Sequence, residues 1–372
     1  MSDKRNIFIG TSVHRWNDNR IFYKEAISLA KRFNVQLHAP ADFDQKSLHG
    51  VTIFGLPIWK KESDRKKIRK ELWVRLKKNT DTDIFIFHDP ELIWIGIKAA
   101  IFSDIKVIYD IHENTIQSIR RKKWLTPLNK IIAIIGYSLL QGVSKSLFKH
   151  YLLAENSYKN FIKSNATVIH NYPIKKEWPK EREKIFDLVY LGDVTEDRGG
   201  LLMVDLLSML TYIYPEVKLA MVGKVEANAN HLINKRVNKL KLENHLEIFG
   251  YMNYPDAMEI VCKSKIGLCL LKPIQNYIQS YPTKLFDYMQ AGIPYISSNF
   301  PLYEELLNEC QAGILVDPLD VKGTANEISN LLNNSDKYDR MSQNGINILK
   351  NNYNWDSQEE KLITVINSIK CS

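Results

Sequence analysis

Apolar and polar positions follow two rhythms along this chain. Short apolar runs of strand length fall at Asn6–Gly10, Val35–Ala39, Val51–Phe54, Ile84–His88, Val107–Ile111, Tyr151–Leu153 and Thr167–His170. Most are separated by stretches with helical spacing, including Arg20–Phe33, Pro90–Ile101 and Lys130–Leu147. That alternation predicts a parallel sheet with helices on both faces. Between Tyr172 and Lys184 the pattern gives way to a segment rich in proline and charge, which reads as a linker. A second alternating series follows, with strands expected at Phe186–Leu191, Val217–Val222, Leu246–Phe249, Ile266–Leu271, Tyr295–Ser298 and Gly313–Val316. A helix-like tail from Ser357 to Ile369 closes the chain.

The expected architecture is α/β, with two doubly wound Rossmann-like domains facing a central cleft. The first domain is placed at 1–175, the linker at 176–184 and the second domain at 185–350. Residues 351–372 are expected to form a C-terminal helix that packs back on the first domain.

Composition adds limits. The 372 residues are 45% hydrophobic and 25% charged, as in soluble globular proteins of two ordinary domains. The most apolar run, Ile131–Val143, is too short to span a bilayer and reads as a core-packed helix, with contact to a membrane edge as the second reading. The start, MSDKRNIFIG, reads as a charged lead into a strand and not as a signal peptide. Cys262, Cys269, Cys310 and Cys371 lack C-x-x-C spacing and are expected to be free thiols, which fits a reducing cytoplasm.

The net charge of +9 admits nucleic acid, an anionic membrane surface or an anionic small substrate as partner. Basic residues gather at Lys60–Lys78 and Arg120–Lys123, either as solvated faces or as a membrane-facing patch. No nucleic-acid-binding signature accompanies them, so nucleic acid ranks last.

In a parallel sheet, ligands collect beyond the carboxyl ends of the strands. Those positions are polar here: His14, Asp18 and Arg20 follow the first strand, His88, Asp89 and Glu91 follow Ile84–Phe87, and His112 and Glu113 follow Val107–Ile111. Three strand ends so equipped point to a functional crevice. In the second series, Gly192 ends the strand FDLVYLG, and Arg198, Gly199 and Gly200 lead into a helix. Glycine admits a ligand close to the backbone, and arginine can clamp a diphosphate. The spacing G-x-G-x-x-G is absent, which disfavours a dehydrogenase-type dinucleotide site. The D-x-D at Asp81–Asp83 precedes a strand and reads as a capped turn away from the crevice. Metal hydrolase, P-loop and serine esterase motifs are missing.

The stretch Gln279–Pro294 (QSYPTKLFDYMQAGIP) predicts a short helix, capped by Ser280 or Tyr281, with Pro282 in its first turn and Gly292 at its stop. Leu285, Phe286 and Met289 share one face; Thr283, Lys284, Asp287 and Gln290 share another. The polar face is either a plain solvated surface or an anion site at a helix start.

Taken together in order, TSVHRWNDNRIFYKEA, FHDPELIWIG, VIYDIHE, VIHNYP, YLGDVTEDRGG, PTKLFDYMQAGIP and NYNWDSQEEKL resemble a bacterial family 4 (group 1) glycosyltransferase of the GT-B fold, from the branch that builds surface polysaccharides. The resemblance implies a retaining, metal-independent transfer of a hexosyl-type sugar from a nucleotide-diphosphate sugar to a glycan acceptor, expected to be lipid-linked, with no cofactor. Work at the inner face of the cytoplasmic membrane, in peripheral contact with anionic lipid, is part of the same expectation. It assigns donor contacts to Gly192, Arg198, Gln279, Thr283, Lys284 and Asp287, and catalytic roles to His112, Arg198 and Asp287. His14, Arg20, Lys24, His88, Asp89 and Glu113 are placed on the acceptor side. In this family a carboxylate pair sits eight positions apart, usually two glutamates; here Asp287 holds one position and Gln279 the other. Asp193 stands where an arginine often follows the glycine. A nucleotide-sugar epimerase of the same fold and a non-catalytic nucleotide-sugar or glycan-binding protein are the alternatives.

Overall fold

The computed structural model describes residues 4–61, 63–122, 125–163, 165–178 and 182–370. Two parts of the predicted basic runs, residues 62 and 123, lie outside them, as do residues 179–181 of the expected linker and Cys371. The chain forms two compact units, one of Met1–Asn171 with Trp355–Ser372 and one of Tyr172–Asn354.

The first unit is built on eight strands: β1 (Asn6–Gly10), β2 (Asn34–Pro40), β3 (Gln45–Leu48), β4 (Val51–Leu56), β5 (Ile84–Phe87), β6 (Lys106–Ile111), β7 (His150–Leu153) and β8 (Ala166–Val168). Their order across the sheet is β3-β4-β2-β1-β5-β6-β7-β8. All neighbours pair parallel except β3, which runs antiparallel to β4. Alternation along the strands sorts residues by type. Phe8, Phe85, Phe87, Tyr109 and Tyr151 share one core cluster, while Ile7, Ile9, Ile84, Ile86, Ile108 and Leu152 share the other. A period of two does this, since neighbouring side chains leave opposite faces. The helix Trp355–Ser368 closes the aliphatic side with Trp355, Leu362, Val365 and Ile366. Trp355 donates its Nε1–H to Ser28 Oγ at 2.8 Å, and Arg5 donates to the carbonyls of Ile366 and Ile369.

Strand β3 has no counterpart in the sequence pattern. Its residues are mostly exposed at the sheet edge, where no buried face imposes apolar alternation. The expected helix Arg20–Phe33 is also different: Asn19–Ala26 is a π-helix, followed by a single α-helical turn at Ile27–Ala30. Asp18 caps it by accepting from the amides of Arg20 and Ile21. The D-x-D is structural, with Asp83 accepting the Asn6 amide at 2.7 Å before β5 begins.

The second unit has six strands, β9 (Phe186–Leu191), β10 (Leu219–Val222), β11 (Leu246–Gly250), β12 (Ser264–Cys269), β13 (Tyr295–Ser298) and β14 (Gly313–Val316). They form an all-parallel sheet ordered β11-β10-β9-β12-β13-β14. The helix Thr283–Gln290 lies tight against β12: a Cβ on Gly267 would come within 2.3 Å of the Tyr288 ring. The Tyr288 hydroxyl then donates to Leu268 O at 2.9 Å and accepts the Leu191 amide at 3.0 Å, fixing the helix to the ends of β9 and β12. This anchoring sets what the helix start presents.

Part of the expected linker belongs to this second unit. Tyr172 is buried against Phe286 and Tyr353, and Lys184 donates to the carbonyls of Cys262 and Ser264. The apolar run Ile131–Val143 lies in the helix Pro127–Leu147, and a core-packed reading fails for its outer face: Ile132 is 59% exposed and Leu139 67%. Hydrophobicity alone does not say which apolar side chains find a partner.

Candidate functional site

Strands β1, β5 and β6 are neighbours, so the three polar strand ends meet as expected. The His14 and His112 rings are 5.9 Å apart and those of His88 and His112 4.9 Å. Asp89 organises the turn after β1 by accepting from the Ser12 amide at 2.5 Å and the Thr11 hydroxyl at 2.9 Å. Ser12 also donates to Glu91, whose other oxygen pairs with Arg65 at 2.7 Å and Arg69 at 3.1 Å.

At the bottom of the cluster lies a charged network centred on Asp110, the polar residue inside the apolar strand VIYDI. Arg20 grips it in two-pronged fashion, Nε to Oδ2 and NH2 to Oδ1, each at 3.0 Å, and donates to Ile169 O at 2.8 Å. The π-helix explains the placement of the next group. Its wide turn puts Arg20 and Glu25, five residues apart, on one side, where Arg20 Nε and Glu25 Oε1 are 2.8 Å apart. That contact lacks hydrogen-bond geometry, and among the described residues no donor reaches either Glu25 oxygen. Burial and the neighbouring Asp110 charge push the Glu25 carboxyl well up, so it is held protonated. Asp110 moves the other way: burial opposes its charge, but Arg20 and His112 outweigh it and keep it ionised.

His112 Nε2 lies 2.6 Å from Asp110 Oδ2, which makes that nitrogen the proton donor. Burial lowers its pKa to about 4, so the ring is neutral near pH 7. It is also the member of this network that reaches solvent, at 19% exposure, whereas His88 is fully covered. His14 stands higher on the cluster, 3.2 Å from Asp18; burial works against its cation, but Asp18 and Asp89 raise its pKa overall. Glu25, His88, Asp110 and His112 offer ligand atoms within 4.8 Å of one another. Arg20 already occupies the two carboxylates, so a dication there would meet a fixed positive charge.

Four expected acceptor-side residues do not join this surface: His88 and Asp89 are buried beneath it, and so are Arg20 and Lys24. Arg20 is 4% exposed with its guanidinium engaged below it, and Lys24 Nζ is turned to Asn171 Oδ1 at 2.6 Å. Glu113 sits beyond His112 at the rim. Glu25 and Asp110 are the residues missed by strand-end reasoning. A carboxylate inside an apolar strand was the available signal for Asp110.

The second unit gathers its own group. Gly192 follows β9 with φ of +119°, a backbone state in which a side chain is strained. A Cβ there would stand 3.5 Å from Lys284 Nζ and 3.9 Å from Arg198 NH1, so glycine leaves two cations beside open backbone. Lys284 is 7% exposed; among the described residues its Nζ has no hydrogen-bond partner, and it lies 3.6 Å from the centre of the Tyr190 ring. Burial, with help from the Arg198 charge, lowers its pKa to about 7. Arg198 stays charged and reaches 4.0 Å from Asp193. Asp287, one turn on from Lys284, is 8% exposed and accepts from the Tyr254 hydroxyl at 2.7 Å. The plain solvated-helix reading is therefore excluded by the burial of Lys284 and Asp287. The expected cap is absent too: Pro282 takes the N-cap position with no side-chain hydrogen bond. Thr283 is exposed at the helix start, and Gln279 ends the short turn Gln275–Ile278.

A half-protonated lysine beside an arginine gives a pH signature. An anion bound there favours the charged amine, so affinity is full below pH 7 and weakens above it, approaching about tenfold per pH unit until the pKa of the complex is reached. Calorimetric titration with a nucleoside diphosphate across this range checks the slope. Without ligand the sign reverses. The folded pKa lies below the ordinary 10.5, so the unfolded chain binds more protons in that window and stability rises with pH.

Residues 171–348 match the family of group 1 glycosyl transferases. Among curated relatives, the chain is 21% identical over 183 residues to spore coat protein SA of Bacillus subtilis, covering 48% of this chain and 48% of that protein. It is 23% identical over 279 residues to chitobiosyldiphosphodolichol beta-mannosyltransferase of Candida albicans, covering 66% of this chain and 59% of that protein. The chain thus spans about half of the length of the relatives it matches. Among solved structures, sucrose-phosphate synthase from Thermosynechococcus elongatus superposes with a TM-score of 0.73 at 12% identity over 98% of both chains. Anabaena HepE in complex with UDP and glucose gives 0.73 at 13% identity, over 98% of this chain and 100% of that one.

Proposed function

We propose that this chain, a group 1 glycosyltransferase of the GT-B fold, moves a hexosyl-type sugar from a nucleotide-diphosphate sugar to a hydroxyl of a glycan acceptor. The observation that carries the donor assignment is Lys284: a buried amine without a hydrogen bond among the described residues, beside Arg198 and the bare backbone of Gly192. Such a group is unfavourable unless an anion completes it. A diphosphate fits, because it brings oxygens for both cations and becomes more negative as it leaves. The nucleotide complexes of the structural neighbours, including UDP and glucose on HepE, support the same ligand class.

In this reading Asp287, steadied by Tyr254, accepts from the donor ribose, and Gln279 and Thr283 bind the donor nearby. Gln279 supplies an amide where related enzymes use a carboxylate. Lys284, Arg198 and the free amides at the helix start neutralise the leaving diphosphate without a metal ion. Asp193, in place of a further arginine, screens Arg198 at 4.0 Å and would soften that clamp. On the first unit, neutral His112 hydrogen-bonds the transferred sugar, while His14, His88, Asp89 and Glu113 shape the acceptor side. We take the transfer to retain anomeric configuration. The acceptor is taken to be lipid-linked, in surface-polysaccharide synthesis at the inner face of the cytoplasmic membrane. The mannosyltransferase relative, named for a chitobiosyldiphosphodolichol, supports a lipid-linked substrate.

The experiment is transfer from a panel of labelled nucleotide sugars to lipid-linked glycan, with the product anomer read by NMR. A glycan product of donor configuration supports the assignment; conversion of the donor without acceptor would favour an epimerase instead. For His112→Ala, kcat is expected to fall about 10- to 100-fold while donor Kd changes less than about twofold. Equal losses in both would move His112 from the reacting sugar to general donor binding.

A further inference from the structure

The helix Pro127–Leu147 is turned the wrong way for a soluble surface. Its inner side, with Ile134, Tyr137 and Leu140, packs on the aromatic core of the first unit. Its outer side carries Leu128, Ile131, Ile132, Ile135, Leu139 and Val143, each between 49% and 67% exposed. The spacing of three and four keeps them in one stripe. Gly136 and Gly142 add to this side, since a Cβ at either would meet nothing within 4 Å. From Ile131 to Ser144 no residue is charged, a length of about 20 Å along a helix.

Along the chain, the charges that flank the stripe have one sign. Lys130 and Lys145 close its two ends, and Lys130 Nζ donates to the Arg120 carbonyl, tying the basic segment Arg120–Lys122 to the helix. Between Glu113 and Glu155 there is no acidic residue at all, against seven basic ones: Arg120, Arg121, Lys122, Lys123, Lys130, Lys145 and Lys149. The other basic run has acidic residues within it and beside it. In the helix Asp64–Lys78, Arg65 and Arg69 pair with Glu91, and Arg75 pairs with Glu71. No helix among the described residues is long and apolar enough to cross a membrane.

We propose that the outer face of Pro127–Leu147 lies in the plane of a bilayer surface rich in anionic lipid, its apolar stripe in the headgroup boundary and its flanking lysines and arginines on lipid phosphates. Apolar insertion and electrostatic attraction are the two contributions such interfacial helices combine, and neither suffices alone. The proposal rests on the reading of the acceptor as lipid-linked, and it names the face that meets the membrane.

The test is cosedimentation of the full chain with vesicles of phosphatidylcholine, with and without about 30% phosphatidylglycerol. Three variants are compared: Ile132→Ser/Ile135→Ser/Leu139→Ser, Lys130→Gln/Lys145→Gln, and Lys66→Gln/Lys70→Gln on the other basic helix. The wild type should pellet with the anionic vesicles and lose binding as salt rises. The first two variants should each partition at least about tenfold less, and the third should match wild type. Undiminished binding by the triple-serine variant overturns the proposal. So does a wild-type dimer, seen by sedimentation velocity without lipid and abolished by the same substitutions, because a second copy then covers the stripe. Nucleotide binding by the triple variant is read in parallel and should be unchanged, which shows that it is folded. If wild type binds vesicles through this face yet transfers only to water-soluble glycans, the docking face stands and the lipid-linked acceptor is withdrawn.

Discussion

Replacing Lys284 by methionine is expected to weaken nucleoside diphosphate binding on the order of 100-fold while making the unliganded protein more stable by about 1–3 kcal/mol. The two signs come from one fact. In the free protein the amine is 7% exposed, over the Tyr190 ring and without a hydrogen bond among the described residues, and burial outweighs the nearby Asp193 and Asp287, so its charge is a burden on folding. Methionine fills nearly the same volume without that burden. With a diphosphate bound, the amine gains charged oxygen partners, which methionine cannot supply. Binding titrations with nucleoside diphosphate and with the plain nucleoside separate the effects, since the nucleoside should lose little. A melting temperature that falls in the unliganded variant would show that Lys284 is already satisfied by the fold.

The second large effect is structural. Arg20→Met is expected to reduce the unfolding free energy by about 3–5 kcal/mol near pH 7, because it strips the fully buried Asp110 of its two-pronged partner and leaves the carbonyl of Ile169 without that donor. The sign with pH follows from Asp110. Its folded pKa is held below the ordinary value by Arg20, so the stability it contributes is present above that ordinary value and lost on acidification. Without Arg20, burial pushes the Asp110 carboxyl up instead, so in Arg20→Met it takes up a proton as the pH falls and the penalty shrinks. Chemical denaturation at several pH values measures it. The double variant Arg20→Met/Asp110→Leu should recover much of the loss, since no buried charge is left unpaired. Additive losses would mean that the pair is not the source of the effect.

Much of the fold was legible in the residues. Runs such as NIFIG, VIYDI and FDLVYL mark strands because a doubly covered sheet demands continuous apolar stretches. The meeting of His14, His88 and His112 followed from strand ends alone, because β1, β5 and β6 lie side by side. What the residues did not disclose depended on contacts distant in sequence. For Lys284 and Asp287 the residues alone left a solvated pair and an anion site both open, and the choice came from Tyr190 and Tyr254, on other elements, which help to cover them. The π-helix leaves no mark in apolar spacing, yet it is what brings Glu25 to Arg20. Ile132 and Ile135 count as core in any hydrophobicity pattern, and only the missing partner shows otherwise.

The donor assignment is the centre of the account, and a thermal-shift series with nucleoside diphosphates and nucleotide sugars tests it most directly. A ligand at about 100 times its Kd stabilises the folded state by about 2.7 kcal/mol. The account predicts an upward shift for the wild type with at least one nucleoside diphosphate, and little or none at the same concentration for Lys284→Met, Arg198→Ala and Asp287→Ala. Shifts in all three variants equal to that of the wild type would contradict it.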